Sequence, residues 1–83
     1  SANGEWIDVR SQKEWDAGHM PGAVHRFLGN LPEQLDQLPD QPTFYCGSGL
    51  RSLIASSLAE RAGKAPRDVR GGYAALQKVL QPV

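Results

Sequence analysis

Short apolar runs alternate along the chain with polar segments rich in glycine and proline. The first run, residues 6–9, predicts a buried strand that ends at Arg10. Ser11 and Glu14 then form a capping-box pattern, which predicts a short helix, and Gly18 suits the left-handed residue that closes it. This part of the chain is therefore predicted to fold as a strand followed by a helical turn.

The middle of the chain predicts a short strand, a helix and a buried strand. Residues 23–27 follow a turn and suit the short strand, whereas residues 30–38 suit a helix with Asn30 as its N-cap. Three leucines recur at helical spacing in that helix: Leu31, Leu35 and Leu38. Residues 43–46 combine β-branched and aromatic side chains and end in Cys46, which favours a buried strand.

The strongest helical pattern covers residues 51–62, and Gly63 provides its stop. Four apolar residues share one face of this helix at a period of 3.6: Leu50, Leu53, Ile54 and Leu58. Residues 67–70 suit a brief strand, after which Gly71 and Gly72 turn the chain into a last helix. That helix carries four more apolar side chains: Tyr73, Leu76, Val79 and Leu80.

This alternation of strands and helices predicts an α/β fold with a small, mainly parallel sheet flanked by helices. We assign one domain to residues 4–83. Residues 1–3 have no apolar neighbours and are consistent with an expression scar, so they are left out of the prediction. A chain of 83 residues buries only about 60–68% of its unfolded surface, so its core is small.

Charge and composition exclude several classes of function. Nine Lys and Arg residues balance nine Asp and Glu residues, so no overall positive field attracts nucleic acid or an anionic membrane. The apolar stretches are far shorter than the ~20 residues of a membrane-spanning helix, and no signal-peptide pattern is present. A single cysteine excludes an internal disulfide and favours a reducing compartment. We therefore expect a soluble, cytoplasmic domain with no nucleic-acid or membrane partner.

The run from Cys46 to Arg51 carries the strongest candidate chemistry. In open parallel sheets, ligands bind beyond the C-terminal ends of the strands, where Cys46 is predicted to lie. Gly47 and Gly49 allow backbone N–H groups to converge on one point, and the following helix adds unpaired N–H donors and a positive dipole end. Such a cup binds negative charge and lowers the pKa of a thiol, so we predict that Cys46 is a reactive thiolate.

Neighbouring side chains complete the candidate site. Arg51 adds a fixed positive charge that can hold an anionic donor, Ser52 adds a hydroxyl group, and Ser48 and Leu50 shape the pocket. The alternative is a cysteine that only packs in the core, which is the commoner role of a lone cysteine. A packing cysteine has no need of two glycines and an arginine after it, so the nucleophile is the favoured interpretation.

The segment 46–52, with the sequence CGSGLRS, resembles the active-site loop of the rhodanese-like sulfurtransferase family. Other segments agree in order with that family. Residues 8–10 (DVR), 14–15 (EW) and 18–23 (GHMPGA) resemble its opening motifs, and residues 71–73 (GGY) resemble its closing turn. The resemblance covers nearly the whole chain.

The resemblance implies a rhodanese-like fold and a sulfur-transfer activity. Cys46 would take a sulfane sulfur from a donor such as thiosulfate or a persulfide, hold it as a covalent persulfide without a bound cofactor, and pass it to a thiophilic acceptor. The backbone of residues 47–51 would cradle the persulfide anion, and Arg51 would stabilise its charge. The donor and the acceptor are expected to be small molecules or proteins.

Two features differ from the family pattern. Family domains usually begin with a strand and a helix before the DVR segment, and this chain is expected to lack both and to be part of a longer multidomain protein. The family often has tryptophan at the position of Leu76, which indicates a changed core contact.

Other polar and aromatic residues are assigned structural roles. His19 lies in a Pro-Gly turn and is preferred as a structural residue over a general base, and His25 is a weaker candidate. Two histidines and one cysteine do not form a zinc spacing, so no metal is predicted. Asp8 and Arg10 either face the pocket or, as favoured, form an ion pair between strand and loop. Three aromatic residues are assigned to the core: Trp6, Trp15 and Tyr45.

Two rival functions fit parts of the same pattern. A cysteine phosphatase also places a thiolate in a loop that ends in arginine, but with five intervening residues where this sequence has four. The second rival is a rhodanese-like module that serves binding or regulation in a larger protein. Uptake of sulfur by Cys46 would separate both from a sulfurtransferase.

Overall fold

A computed structural model describes residues 6–78 of the chain. Within them, four strands are assigned: Trp6–Asp8 (β1), Val24–His25 (β2), Thr43–Tyr45 (β3) and Arg67–Asp68 (β4). Three α-helices are also assigned: Gln12–Ala17 (α1), Leu50–Arg61 (α2) and Gly72–Leu76 (α3). All pairings are parallel, in the order β2-β1-β3-β4. The predicted α/β fold with a parallel sheet is confirmed.

The start of α1 confirms the predicted capping box. The Ser11 hydroxyl accepts the Glu14 N–H at 3.2 Å, and the Glu14 carboxylate accepts the Ser11 N–H at 3.1 Å. The predicted left-handed end is wrong, because Gly18 combines a φ of 147° with an extended ψ of 143°. In this conformation the Gly18 carbonyl accepts a hydrogen bond from Nη2 of Arg10 at 2.7 Å.

The helix predicted over residues 30–38 is wrong. Two short 3₁₀ helices, Leu28–Glu33 and Leu35–Gln37, replace it, and Asn30 lies inside the first and caps nothing. The first 3₁₀ helix begins before Asn30, and Gln34, with a φ of −121°, interrupts the helical backbone between the two. Two of the three leucines are nevertheless buried: Leu31 and Leu38.

Helix α2 has nearly the predicted bounds but a different buried face. Its buried residues are small: Ser52, Ala55 and Ala59. Three of the four apolar residues assigned to one face are instead exposed: Leu50 at 68%, Leu53 at 55% and Ile54 at 48%. Small side chains allow the helix backbone to lie close to the sheet, so the residues that pack are not the most hydrophobic ones. These three exposed residues form an apolar face near the N-terminus of α2.

The core consists of two clusters, one around Phe44 and the other around Tyr45. These neighbours on β3 lie in different clusters because successive side chains of a strand point to opposite faces of the sheet. Tyr45 is fully buried, as predicted, whereas Trp6 and Trp15 are only half-buried. Leu76 packs in the cluster of Tyr45. Two other predicted apolar positions, Val79 and Leu80, lie outside the described residues.

Asp8 and Arg10 form the favoured ion pair, with 2.7 Å between Oδ2 and Nη2 and both side chains buried. The Arg10 guanidinium also lies 4.0 Å from the ring centroid of Tyr73, so it connects the end of β1 to α3. His19 and His25 contact backbone carbonyls, at 3.0 Å and 2.7 Å, which agrees with structural roles. No helix among residues 6–78 is long and apolar enough to cross a membrane.

Candidate active site

Cys46 lies directly after β3, which ends one residue earlier than predicted. Its side chain is fully buried, with 0% exposure. Gly49 follows in the left-handed conformation, with a φ of 111°, and turns the chain into α2 at Leu50. The cysteine is therefore held between the end of a central strand and the start of a helix, at the sheet edge where it was predicted.

N–H groups of the loop stabilise negative charge on the sulfur atom. The Gly49 N–H donates to Sγ at 3.0 Å, and the N–H groups of Ser48 and Ser52 also stabilise the thiolate. The Ser52 Oγ lies 3.6 Å from Sγ and donates to the Gly49 carbonyl at 3.0 Å. Burial alone would raise the pKa of Cys46, but these hydrogen bonds more than offset it and lower the pKa below its ordinary value.

The lowered pKa predicts the pH dependence of alkylation. Iodoacetamide attacks the thiolate and not the thiol. Its rate of reaction with Cys46 should therefore stay high at pH values below about 8.5, the ordinary pKa of a free thiol, and should fall only at lower pH. The measurement is the rate of mass gain of the intact protein against pH, which reports on one site because the chain has one cysteine. The same chain unfolded in urea is the reference, and Ser52→Ala should shift the midpoint back towards it, because the Ser52 hydroxyl lies 3.6 Å from Sγ and helps to lower the pKa of Cys46 when it turns towards the thiolate. Equal midpoints for folded and unfolded chains would contradict the prediction.

The closing turn holds the loop from the other side. The Tyr73 N–H donates to the Cys46 carbonyl at 2.6 Å, and the Ala74 N–H lies 3.4 Å from the Gly47 carbonyl. Gly72 has a φ of 61°, and a Cβ added there would overlap the Cys46 carbonyl oxygen. The sequence indicated a glycine turn here, but only the structure shows that it supports the cysteine loop.

Arg51 has a partner that the sequence reasoning missed. Its Nη1 and Nη2 donate to the two carboxylate oxygens of Glu14, at 2.7 Å and 3.0 Å. The hydrogen bond from Arg51 is the largest cause that lowers the pKa of Glu14 to about 2, and Glu14 in turn raises the pKa of Arg51. Both groups are therefore charged at neutral pH, and the arginine expected to hold an anionic donor is already paired with a carboxylate.

The strand order explains why Glu14 and Arg51 meet. Glu14 lies in the helix after β1, and Arg51 lies in the helix after β3. These strands are parallel neighbours, so their C-terminal ends meet at the same edge of the sheet. The pairing could have been expected once the strand order was known.

An open groove of about 620 Å³ lies beside the loop. It is lined by Ser48, Gly49, Leu50, Leu53, Asp68, Arg70 and Gly71. Of the predicted site residues, Ser48, Gly49 and Ser52 surround the sulfur, whereas the Leu50 side chain forms part of the groove wall. Gly47 lies beneath the Arg51 guanidinium, since an added Cβ would be 3.1 Å from Nη2.

Comparisons with known proteins agree with this geometry. Residues 1–78 match the Rhodanese-like domain family. The putative sulfurtransferase YtwF of Bacillus subtilis is 33% identical over 78 residues, which cover 92% of this chain and 76% of YtwF. The human single-domain sulfurtransferase TSTD1 has a TM-score of 0.84 and 26% identity, over 94% of this chain and 84% of TSTD1.

A longer relative matches as well. The probable adenylyltransferase/sulfurtransferase MoeZ of Mycobacterium tuberculosis is 38% identical over 81 residues, which cover 92% of this chain. The chain spans only 21% of the length of MoeZ. The family match extends over almost the whole chain, and its fold agrees with the parallel sheet and the cysteine loop, so this chain belongs to the rhodanese-like domain family.

Proposed function

We propose that this domain is a sulfurtransferase that carries a sulfane sulfur as a persulfide on Cys46. The observation that supports it most directly is the environment of Sγ, which receives the Gly49 N–H at 3.0 Å and has a lowered pKa despite full burial. Buried thiols that only pack have raised pKa values, because burial disfavours the charged form. Relatives named as sulfurtransferases support the same chemistry.

The proposed reaction has two displacement steps. In the first, the Cys46 thiolate attacks the sulfane sulfur of the donor, a new S–S bond forms, and the donor's bond to that sulfur breaks. The leaving group keeps the electron pair of the broken bond: sulfite leaves from thiosulfate, and a thiolate leaves from an organic persulfide. In the second step, a thiophilic acceptor attacks the outer sulfur and Cys46 leaves as a thiolate. The proposed cycle needs no bound cofactor.

The same N–H groups assist both steps. They stabilise the Cys46 thiolate when it attacks and again when it leaves, because they point at Sγ before the reaction starts. The outer sulfur of a persulfide lies about 2 Å beyond Sγ. Cys46 lies beneath Ser48 and Gly49, which also line the groove, so we propose that the donor reaches Sγ from the groove when the loop opens slightly and that the acceptor reaches the outer sulfur from the same side.

Two rival functions remain as outcomes of the test. The exposed face of Leu50, Leu53 and Ile54 would suit a binding or regulatory module, and the short match to MoeZ would suit a domain within a longer protein. A cysteine phosphatase fits less well, because the loop has four residues between cysteine and arginine and that arginine is paired with Glu14.

A single free thiol is suited to a reducing compartment such as the cytoplasm, where we propose that this domain acts.

The experiment is to incubate the protein with thiosulfate or with an alkyl persulfide and to measure its intact mass. We expect the protein to gain the mass of one sulfur atom at Cys46 and to lose it again to a small thiol acceptor. In a separate assay, we expect the protein to hydrolyse no aryl phosphate. If no donor loads Cys46, the binding module is the better interpretation. Aryl phosphate hydrolysis that disappears in Cys46→Ala would instead indicate a phosphatase.

A further inference from the structure

We propose that Glu14 determines which sulfur donors the site accepts. By pairing with Arg51, its carboxylate disfavours dianionic donors such as thiosulfate and favours neutral or monoanionic organic persulfides. This inference rests on the proposed sulfur-transfer function and specifies the substrate class of the same site. Glu14 would act as a specificity-determining residue that does not itself react.

The Glu14 carboxylate is a fixed anion in the structure. Its Oε1 accepts from Arg51 Nη1 at 2.7 Å, from the Ser11 N–H at 3.1 Å and from the Ser11 hydroxyl at 3.0 Å. Its Oε2 accepts from Arg51 Nη2 at 3.0 Å. Two elements therefore hold it, the cap of α1 and the first turn of α2, so a substrate anion does not easily displace it.

The carboxylate also lies beside the residue that follows the reacting cysteine. A Cβ built on Gly47, the residue directly after Cys46, would lie 3.1 Å from Arg51 Nη2 and 3.8 Å from Glu14 Oε2. The ion pair thus covers the first residue of the cysteine loop. An anionic substrate group that approached Arg51 at this point would find its binding position already taken by the Glu14 carboxylate.

The charges at the site explain the expected selectivity. The charges of Glu14 and Arg51 cancel, so the attraction for a substrate anion comes mainly from neutral N–H groups. The groove wall also contains one acidic and one basic residue, Asp68 and Arg70. The nucleophile is itself an anion, and its encounter with a dianion is more unfavourable than its encounter with a neutral or singly charged persulfide.

The variant Glu14→Gln tests this proposal. Glutamine at this helix position still accepts the Ser11 N–H in a capping box, so the fold should persist while the charge is lost and Arg51 becomes available. We expect kcat/KM for thiosulfate to rise roughly tenfold, and kcat/KM for an alkyl persulfide, which carries at most one negative charge, to rise by no more than about threefold. An unchanged ratio between the two donors would overturn the proposal.

A matched control separates charge from structure. Ser11→Ala removes the hydroxyl cap of α1 and one hydrogen bond to the Glu14 carboxylate, but it keeps the charge of Glu14 and its two bonds from Arg51, so both donors should change in proportion. Arg51→Gln removes the cation and leaves the carboxylate alone, so thiosulfate should lose more activity than the persulfide. If Arg51→Gln lowers both equally, the proposal is also overturned.

Alkylation gives a readout that needs no turnover. The ratio of the rates with iodoacetate, an anion, and iodoacetamide, its neutral analogue, cancels the fraction of thiolate at Cys46. We expect this ratio to rise roughly threefold in Glu14→Gln and to fall in Arg51→Gln. If wild-type protein never gains sulfur but the ratio shifts, the proposed function fails while the charge effect of Glu14 stands. If it gains sulfur and neither ratio shifts, only the present inference fails.

Discussion

Replacement of Cys46 by alanine is expected to lower sulfur transfer at least about a thousandfold. Alanine has no atom that can form the S–S bond, so the covalent route is lost, and removal of a catalytic nucleophile typically costs this much or more. The measurement is transfer from thiosulfate or an alkyl persulfide to a small thiol, corrected for the uncatalysed reaction. Intact mass after incubation with the donor should show no added sulfur.

Cys46→Ser provides the matched control for packing. Serine is close in size to cysteine, and its hydroxyl can accept the Gly49 N–H that now reaches Sγ, so the loop should keep its shape. A hydroxyl does not form a persulfide and ionises far less readily than a thiol. Both variants should therefore be inactive, although only alanine leaves a void. Substantial transfer by either variant would show that Cys46 is not the sulfur carrier.

Gly72→Ala is expected to cause the largest loss of stability. Its φ of 61° lies in the left-handed region, which costs an L-residue about 1–2 kcal/mol, and its new Cβ would overlap the carbonyl oxygen of Cys46. Overpacking adds about 1–3 kcal/mol. A domain of 83 residues has a total free energy of unfolding of only about 4–12 kcal/mol, so the loss is a large fraction of it.

Gly63→Ala separates backbone strain from steric overlap. Gly63 also has a positive φ, of 84°, but a Cβ added there meets no atom within 4 Å. We expect this control to lose about 1 kcal/mol, whereas Gly72→Ala loses at least about twice as much and shifts Tm by about 10 °C or more. The measurements are thermal and urea unfolding, followed by alkylation of Cys46 in whatever fraction folds. Equal losses for the two variants would contradict the predicted contact with the cysteine loop.

The helical segments show where sequence patterns were sufficient. The capping box of Ser11 and Glu14 acts over three residues, so it predicted the start of α1 correctly. The end of that helix and the segment 30–38 were predicted wrongly, because these depend on what the carbonyl of Gly18 and the leucines contact elsewhere.

The candidate site shows the same division. The fold class, the glycine-rich loop after β3 and the cysteine at its start could be predicted from residue order alone, because each depends on local conformation and on residue type. Three contacts became visible only in the folded chain: the ion pair of Glu14 with Arg51, the support of the Cys46 carbonyl by the turn at Gly72, and the packing of small α2 residues on the sheet. These contacts join residues distant in sequence, and the packing of neighbouring parallel strands brings them together at one edge.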